Sequence, residues 1–257
     1  MAEPGAFLDL ALRLADAAGP IIKRHFRSGA AIVDKADLSP VTIADRDSEA
    51  AMRAIIAQDA PDHGVLGEEW GADRIDAEYV WVLDPIDGTK SFVTGKPLFG
   101  TLISLTHRGK PVIGIIDQPV LGERWIGVAG HPTRFNGQPI RTRTCAGLNE
   151  AWMYATTPQM FVGADEAAYN RLAGAVKFPL YGADCYAYGM LAAGWTDLVC
   201  EASLKPYDWC ALVPVVEGAG GKITDWEGRP LSIEPVGRVL AAGDPARHAE
   251  ALQLLQG

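Results

Sequence analysis

Two aspartates stand at the end of an apolar run in Trp81-Val82-Leu83-Asp84-Pro85-Ile86-Asp87-Gly88-Thr89. Pro85 fixes its own φ and stiffens the turn, so both carboxylates can face one point, with the Ile86 carbonyl as a further oxygen donor. Hard divalent cations such as Mg2+ take an all-oxygen shell of this kind. Gly88 and Thr89 follow at once, and small residues there let backbone N–H groups approach an anion closely. A helical turn starting at that point would add a phosphate-holding N-terminus.

Two more acidic elements have the same character. Gly67-Glu68-Glu69 follows a short apolar strand, and Pro206-Tyr207-Asp208-Trp209 precedes an apolar helix with Ala211, Leu212, Val215 and Val216. Each has a bland alternative: Asp208 as a helix cap, Glu68 as a solvated loop charge, Asp84-Pro85 as a plain turn. Taken jointly, all sit where an apolar segment ends or a helix starts, which is where α/β proteins place their sites. Each pair of carboxylates about 4 Å apart repels by roughly 1–4 kcal/mol, so four converging acids need bound cations. Two Mg2+ ions would balance Glu68, Asp84, Asp87 and Asp208 in formal charge, activate water and stabilise a leaving alkoxide.

The whole-chain balance agrees with that need. With 32 acidic and 23 basic residues the formal charge is −9, and no basic stripe offers itself to nucleic acid or an anionic membrane. An acidic protein handling an anionic substrate needs cations to bring the two together. Cys145, Cys185, Cys200 and Cys210 form no C-x-x-C pair, which argues against a zinc site or disulfide framework and for scattered thiols in a cytoplasmic protein. No run is long and apolar enough to cross a bilayer, and Glu3, Asp9 and Asp16 make the N-terminus read as a helix rather than a signal peptide.

The elements that must position these acids are legible as periodicities. Over 6–27, Phe7, Ala11, Leu14, Ala15, Ala18, Ile22 and Phe26 share a helical face, with a kink expected at Gly19-Pro20. A second helix is predicted over 43–58, started by Thr42 and Asp45, with Ala44, Ser48, Met52, Ile55 and Ile56 inward. Strands are predicted at 64–66, 79–83, 101–106, 112–117 and 124–128, with His107-Arg108-Gly109-Lys110 as a hairpin turn. The second half alternates: strands at 152–155, 197–200, 222–225 and 239–242, helices at 165–174, 185–193, 207–218 and 245–255. The chain thus reads as an α+β half, 1–145, carrying most metal ligands, and an α/β half, 146–257, supplying Asp208 and substrate contacts.

Gly67-Glu68-Glu69, Asp84-Pro85-Ile86-Asp87-Gly88-Thr89, and Tyr207-Asp208-Trp209 with Glu217-Gly218-Ala219-Gly220-Gly221 resemble the signatures of the inositol monophosphatase family. The resemblance runs from about Leu8 to Ala242. It implies a layered αβαβα sandwich, a homodimer, and dependence on two or three Mg2+ ions. Lys35-Ala36-Asp37-Leu38-Ser39-Pro40-Val41-Thr42, the run from Lys90 to Gly100, and the run from Tyr181 to Gly189 look most like the bacterial histidinol-phosphate phosphatase branch. Inositol monophosphatases typically have threonine and asparagine at Lys90 and Ser91, and often an aspartate where Ser39 aligns at a third metal position.

By resemblance, one Mg2+ is held by Glu68, Asp84 and the Ile86 carbonyl, and a second by Asp84, Asp87 and Asp208. Water attacks phosphorus directly, aligned by Thr89 with Asp45 behind it, while Gly88 and Thr89 N–H groups hold the phosphoryl oxygens. Asp45 also completes the capping box of its helix, and Asp184 reads equally as an N-cap. Glu201 and Asp184 are the candidates for reading the organic part of the substrate: the ammonium and imidazole of histidinol phosphate suit acids. Tyr181, Tyr186 and Tyr188 read as packing. The expectation is a phosphatase producing L-histidinol for histidine biosynthesis. The alternatives are an inositol-1-phosphate or broad sugar-phosphate phosphatase, or a catalytically silent Mg2+ or phosphate sensor.

Overall fold

A computed structural model describes residues 4–29, 32–34 and 40–257. Glu3 and the stretch Lys35-Ala36-Asp37-Leu38-Ser39, with its third metal position, lie outside the described residues. The first half contains α1 (Leu8–His25), β1 (Ile32–Asp34), β2 (Pro40–Thr42), α2 (Ile43–Asp59), β3 (Gly64–Gly67), β4 (Gly71–Asp73), β5 (Tyr79–Asp87) and α3 (Thr89–Val93). Next come β6 (Gly100–His107), β7 (Lys110–Gln118), β8 (Glu123–Val128), β9 (Arg134–Phe135) and β10 (Gln138–Pro139). The second half contains β11 (Trp152–Ala155), α4 (Ala164–Ala175), β12 (Phe178–Tyr181), α5 (Tyr186–Ala192) and β13 (Leu198–Glu201). It ends with α6 (Pro206–Trp209), α7 (Leu212–Gly218), β14 (Lys222–Thr224), β15 (Val239–Ala242) and α8 (Pro245–Gln256).

Two large sheets are stacked among three layers of helices, in the αβαβα order, and β1 and β2 form a separate antiparallel pair. The larger has strand order β10-β9-β8-β7-β6-β5-β3-β4, antiparallel except where β3 runs parallel to β5. The smaller has order β12-β11-β13-β15-β14, with β11 parallel to both β12 and β13. Helices α1 and α2 pack on one another and cover β5, β6 and β7; α5, α6 and α7 fill the middle; α4 and α8 cover the far side. Alternation along β5 divides its side chains accordingly. Trp81 and Leu83 join the core beneath α1 and α2, whereas Val82 joins the core of the middle layer.

The middle layer is seated by two glycines. A Cβ at Gly114 would stand 2.0 Å from the Ala211 carbonyl oxygen, and one at Gly127 would stand 2.3 Å from the Pro214 backbone. Backbone on backbone contact of this kind fixes α7 on β7 and β8, and with it the Asp208 segment just upstream.

Four expectations need adjusting. The helix predicted over 207–218 is two, α6 and α7. Pro214 has no N–H for the Cys210 carbonyl, so the helical ladder breaks there. Strand β5 runs past 83 to Asp87, through the proline. The helix predicted from Cys185 starts at Tyr186, with Cys185 itself at the N-cap. Strands β1, β2, β4, β9, β10 and β12 have no counterpart among the predicted strands; at β12, Pro179 and a largely exposed pattern hide an edge strand. The hairpin turn is as predicted: Arg108 and Gly109 have φ of +50° and +78°, between paired His107 and Lys110.

Candidate active site

On a regular strand, residues three apart point to opposite faces, so Asp84 and Asp87 would diverge. The structure resolves this with a bulge. Asp84 pairs with Leu102 and Asp87 with Gly100, so three steps on β5 oppose two on β6. The extra residue turns both carboxylates to the same side. Helix α6 packs against β5 and β6 and delivers Asp208 to them. One carboxylate oxygen from each of Asp84, Asp87 and Asp208 then lies within 4.8 Å of the others.

Each of these aspartates is oriented by a backbone N–H. Asp84 Oδ1 accepts from Ile86 (3.1 Å), Asp87 Oδ2 from Cys185 (2.6 Å) and Asp208 Oδ2 from Lys205 (2.6 Å). Asp208 therefore does serve its own helix start, alongside its place in the cluster. Glu68 flanks the three: its N–H donates to the Leu83 carbonyl at 3.1 Å, prolonging the parallel β3–β5 ladder so that it stands level with Asp84.

The electrostatics are those of buried carboxylates crowded together. Burial first, then the charges of Glu68, Asp87 and Asp208, hold the Asp84 carboxyl well above the usual carboxylate range. Asp87 is raised likewise by burial, Asp184 and Asp208. Asp208 is pushed up to about 7, mostly by burial, against the stabilising Lys205 N–H. The donor set fits Mg2+: all oxygen, net anionic, and mutually repelling until a cation sits between.

Asp45 is fully buried at the start of α2. Its Oδ2 accepts from the Thr42 N–H (2.8 Å) and hydroxyl (2.6 Å), completing the capping box, while its Oδ1 has no hydrogen-bond partner. The Thr89 hydroxyl donates to the Ile86 carbonyl at 3.0 Å, not to Asp45. Gly88 has φ of +93° and is the N-cap of α3, a conformation that a side chain would strain.

Asp184 and Glu201 lie close enough to Asp87 for their charges to act on it. A Cβ at Gly88 would stand 3.0 Å from Asp184 Oδ2, so this carboxylate rests on the Gly88 turn. Asp184 has φ of +46° and accepts from Ser91 (3.2 Å) and Thr156 (3.4 Å) rather than capping α5. Burial raises its pKa, opposed by Ser91, Lys96 and Thr156. Glu201, buried at the end of β13, accepts from the Thr156 N–H and the Tyr188 hydroxyl, both at 2.9 Å. Tyr188 thus does more than pack. Thr156 and the Cys185 N–H carry no signal in the sequence, and Ser91 stands out there only as a departure from the inositol monophosphatase pattern; their partners lie far along the chain, and no local pattern signals them.

A model of the inositol monophosphatase family matches residues 5–257, and the chain belongs to that family. It is 54% identical over 252 residues to the bifunctional phosphatase IMPL2, chloroplastic, of Arabidopsis thaliana, covering 95% of this chain and 73% of that one. It is 34% identical over 241 residues to a histidinol-phosphatase of Chlorobaculum parvum, covering 91% of each. Among solved structures, an inositol monophosphatase from Zymomonas mobilis aligns with a TM-score of 0.90 at 49% identity, over 98% of this chain and 99% of that one. The layered fold and the phosphatase class follow.

Proposed function

We propose that this phosphatase of the inositol monophosphatase family is Mg2+-dependent and prefers L-histidinol phosphate. The observation that carries the substrate is the acidic wall: Asp184 rests on the Gly88 turn, and Glu201 is buried nearby, both within electrostatic reach of Asp87. A substrate bearing an ammonium and an imidazole compensates such acids; the neutral hydroxyls of inositol do not. The likeness to a curated histidinol-phosphatase supports the same choice.

Glu68, Asp84, the Ile86 carbonyl, Asp87 and Asp208 would hold the metal, in two or three ions. Mg2+ bound there supplies charge neutralisation and Lewis acidity for hydrolysis of the ester. Gly88 and Thr89 N–H groups hold the phosphoryl oxygens, and the Thr89 hydroxyl aligns the attacking water. Asp45 Oδ1, buried and unpartnered, is the open acceptor for a proton on that side. The water oxygen bonds to phosphorus as the ester P–O bond breaks, and the alcohol leaves with a proton. No phosphorylated side chain forms. Residues 1–145 and 146–257 act as two halves of one site, a reading supported by the assignment of each sheet to one half. Homodimer formation and a cytoplasmic setting belong to the same reading; light scattering tests the first.

The test compares kcat/KM for L-histidinol phosphate, inositol 1-phosphate and glycerol 2-phosphate in Mg2+. Histidinol phosphate should lead, and Asp184→Asn or Glu201→Gln should weaken it by about 1–3 kcal/mol in transition-state binding, with glycerol 2-phosphate affected far less. A lead for inositol 1-phosphate would overturn the substrate and leave the phosphatase class intact. Absence of phosphate release from all three would favour a silent sensor.

A further inference from the structure

We infer that Glu49, which takes no part in the chemistry above, positions Glu68 and thereby sets the affinity of the site for Mg2+. This rests on the reading of Glu68 as a metal ligand. Glu49 lies on α2 one turn after Asp45 and is fully buried. Its carboxylate grips the backbone of the β3–β4 turn: Oε2 accepts from the Glu69 N–H at 2.8 Å and Oε1 from the Trp70 N–H at 3.2 Å. Arg53, one further turn along α2, donates to Oε1 at 2.7 Å and to the Gly71 carbonyl at 2.5 Å. The Trp70 indole N–H adds a bond to the Arg46 carbonyl at 3.2 Å. One helix thus holds three consecutive residues immediately after Glu68.

The residue before Glu68 is held as tightly. A Cβ on Gly67 would stand 1.9 Å from Glu49 Oε1, so the strand backbone lies directly on the carboxylate and a side chain there would push it off its partners. Together with the Glu68 N–H bond to Leu83, the backbone of Glu68 is fixed from both sides. A buried carboxylate is expensive unless its hydrogen bonds are complete. Here they are completed by two main-chain N–H groups and the Arg53 guanidinium, and an amide would turn an N–H2 donor toward one of these donors. The consequence reaches the metal centre because Glu68 continues the parallel β3–β5 ladder through its N–H bond to the Leu83 carbonyl and so stands level with Asp84. Mg2+ demands near-ideal octahedral geometry, so a ligand displaced by even a fraction of an ångström binds it poorly.

The experiment is a double-mutant cycle on Mg2+ binding by the purified full chain, read by calorimetry and by the Mg2+-induced rise in Tm. Glu68→Gln should weaken Mg2+ by about 10–100-fold and Glu49→Gln by about tenfold. The double variant should bind Mg2+ no more weakly than Glu68→Gln alone, because Glu49 acts through Glu68. Glu49→Asp keeps the charge but loses the reach, should weaken Mg2+ in the same way, and carries the cycle if Glu49→Gln does not fold. Folded Glu49 variants that bind Mg2+ like the wild type, or losses that multiply in the double variant, would overturn the inference alone. If Glu68→Gln leaves Mg2+ binding unchanged, the metal-ligand reading falls with it.

Discussion

Asp208→Asn removes one negative charge from the three-aspartate group yet leaves an oxygen to accept the Lys205 N–H. At separations near the 4.8 Å limit of the cluster, each neighbouring charge repels Asp208 by roughly 1–3.5 kcal/mol, depending on the local dielectric. Two such neighbours, Asp84 and Asp87, would make roughly 2–7 kcal/mol if both were ionised, and their own raised pKa values move the contribution toward the lower end. The raised pKa, set first by burial and then by the charges of Glu68 and Glu201, adds the cost of desolvating the carboxylate. An ordinary 3.8 moved to about 7 corresponds to about 4 kcal/mol of instability once the folded group is ionised. Below pH 3.8 both folded and unfolded states are protonated and nothing is lost. As pH rises from there to about 7, the unfolded chain releases its proton first, so the metal-free fold loses stability, fully above 7. Because Asp208 is only half-buried and shares its charge with neighbours, the lower part of the range applies, about 2–4 kcal/mol. In a chelator near pH 8, Asp208→Asn should therefore raise Tm by about 5–15 °C. In excess Mg2+ the order should invert, because the wild type gains a ligand that the variant lacks. Thermal melts followed by circular dichroism in both conditions decide it. A variant that melts at or below the wild type in chelator would refute the electrostatic argument, and equal Mg2+ stabilisation of both proteins would remove Asp208 from the ligand set.

Thr89→Ala should greatly reduce turnover while leaving Mg2+ binding and folding largely intact, since its hydroxyl bonds a carbonyl rather than supporting the fold; a phosphorylated side chain trapped by rapid quench would sink direct water attack. His248 is fully buried, and burial lowers its pKa from 6.5 to about 4. The folded protein should thus lose about 3 kcal/mol as pH falls from 6.5 to about 4, with nothing lost above; urea melts of His248→Gln should lack that decline relative to the wild type. Gly127→Ala drives a Cβ to 2.3 Å from the Pro214 backbone and should destabilise by roughly 1–3 kcal/mol or more in denaturant melts, shifting α7 on its sheet.

Chemistry confined to a short stretch was readable from the residues themselves. Asp84-Pro85-Ile86-Asp87-Gly88-Thr89 announces paired carboxylates and a tight turn, and helices α1 and α2 show their inward faces through a 3.6-residue period. Thr42 and Asp45 likewise spell out a capping box that the backbone then makes. Tertiary structure alone decided what depends on two distant backbones. The bulge that aligns Asp84 with Asp87 exists only because β6 supplies one residue fewer at that point. The Cys185 N–H reaches Asp87 across 98 positions, and Asp184 settles on Gly88 in a left-handed conformation that no neighbouring residue requires. No spacing in the sequence sets Glu49 apart; only the turn folded over it makes it a buried anchor. Local rules act through spacing along one segment, whereas hydrogen bonds and charges act through space, and a chain's spacing does not state which of its distant atoms will meet.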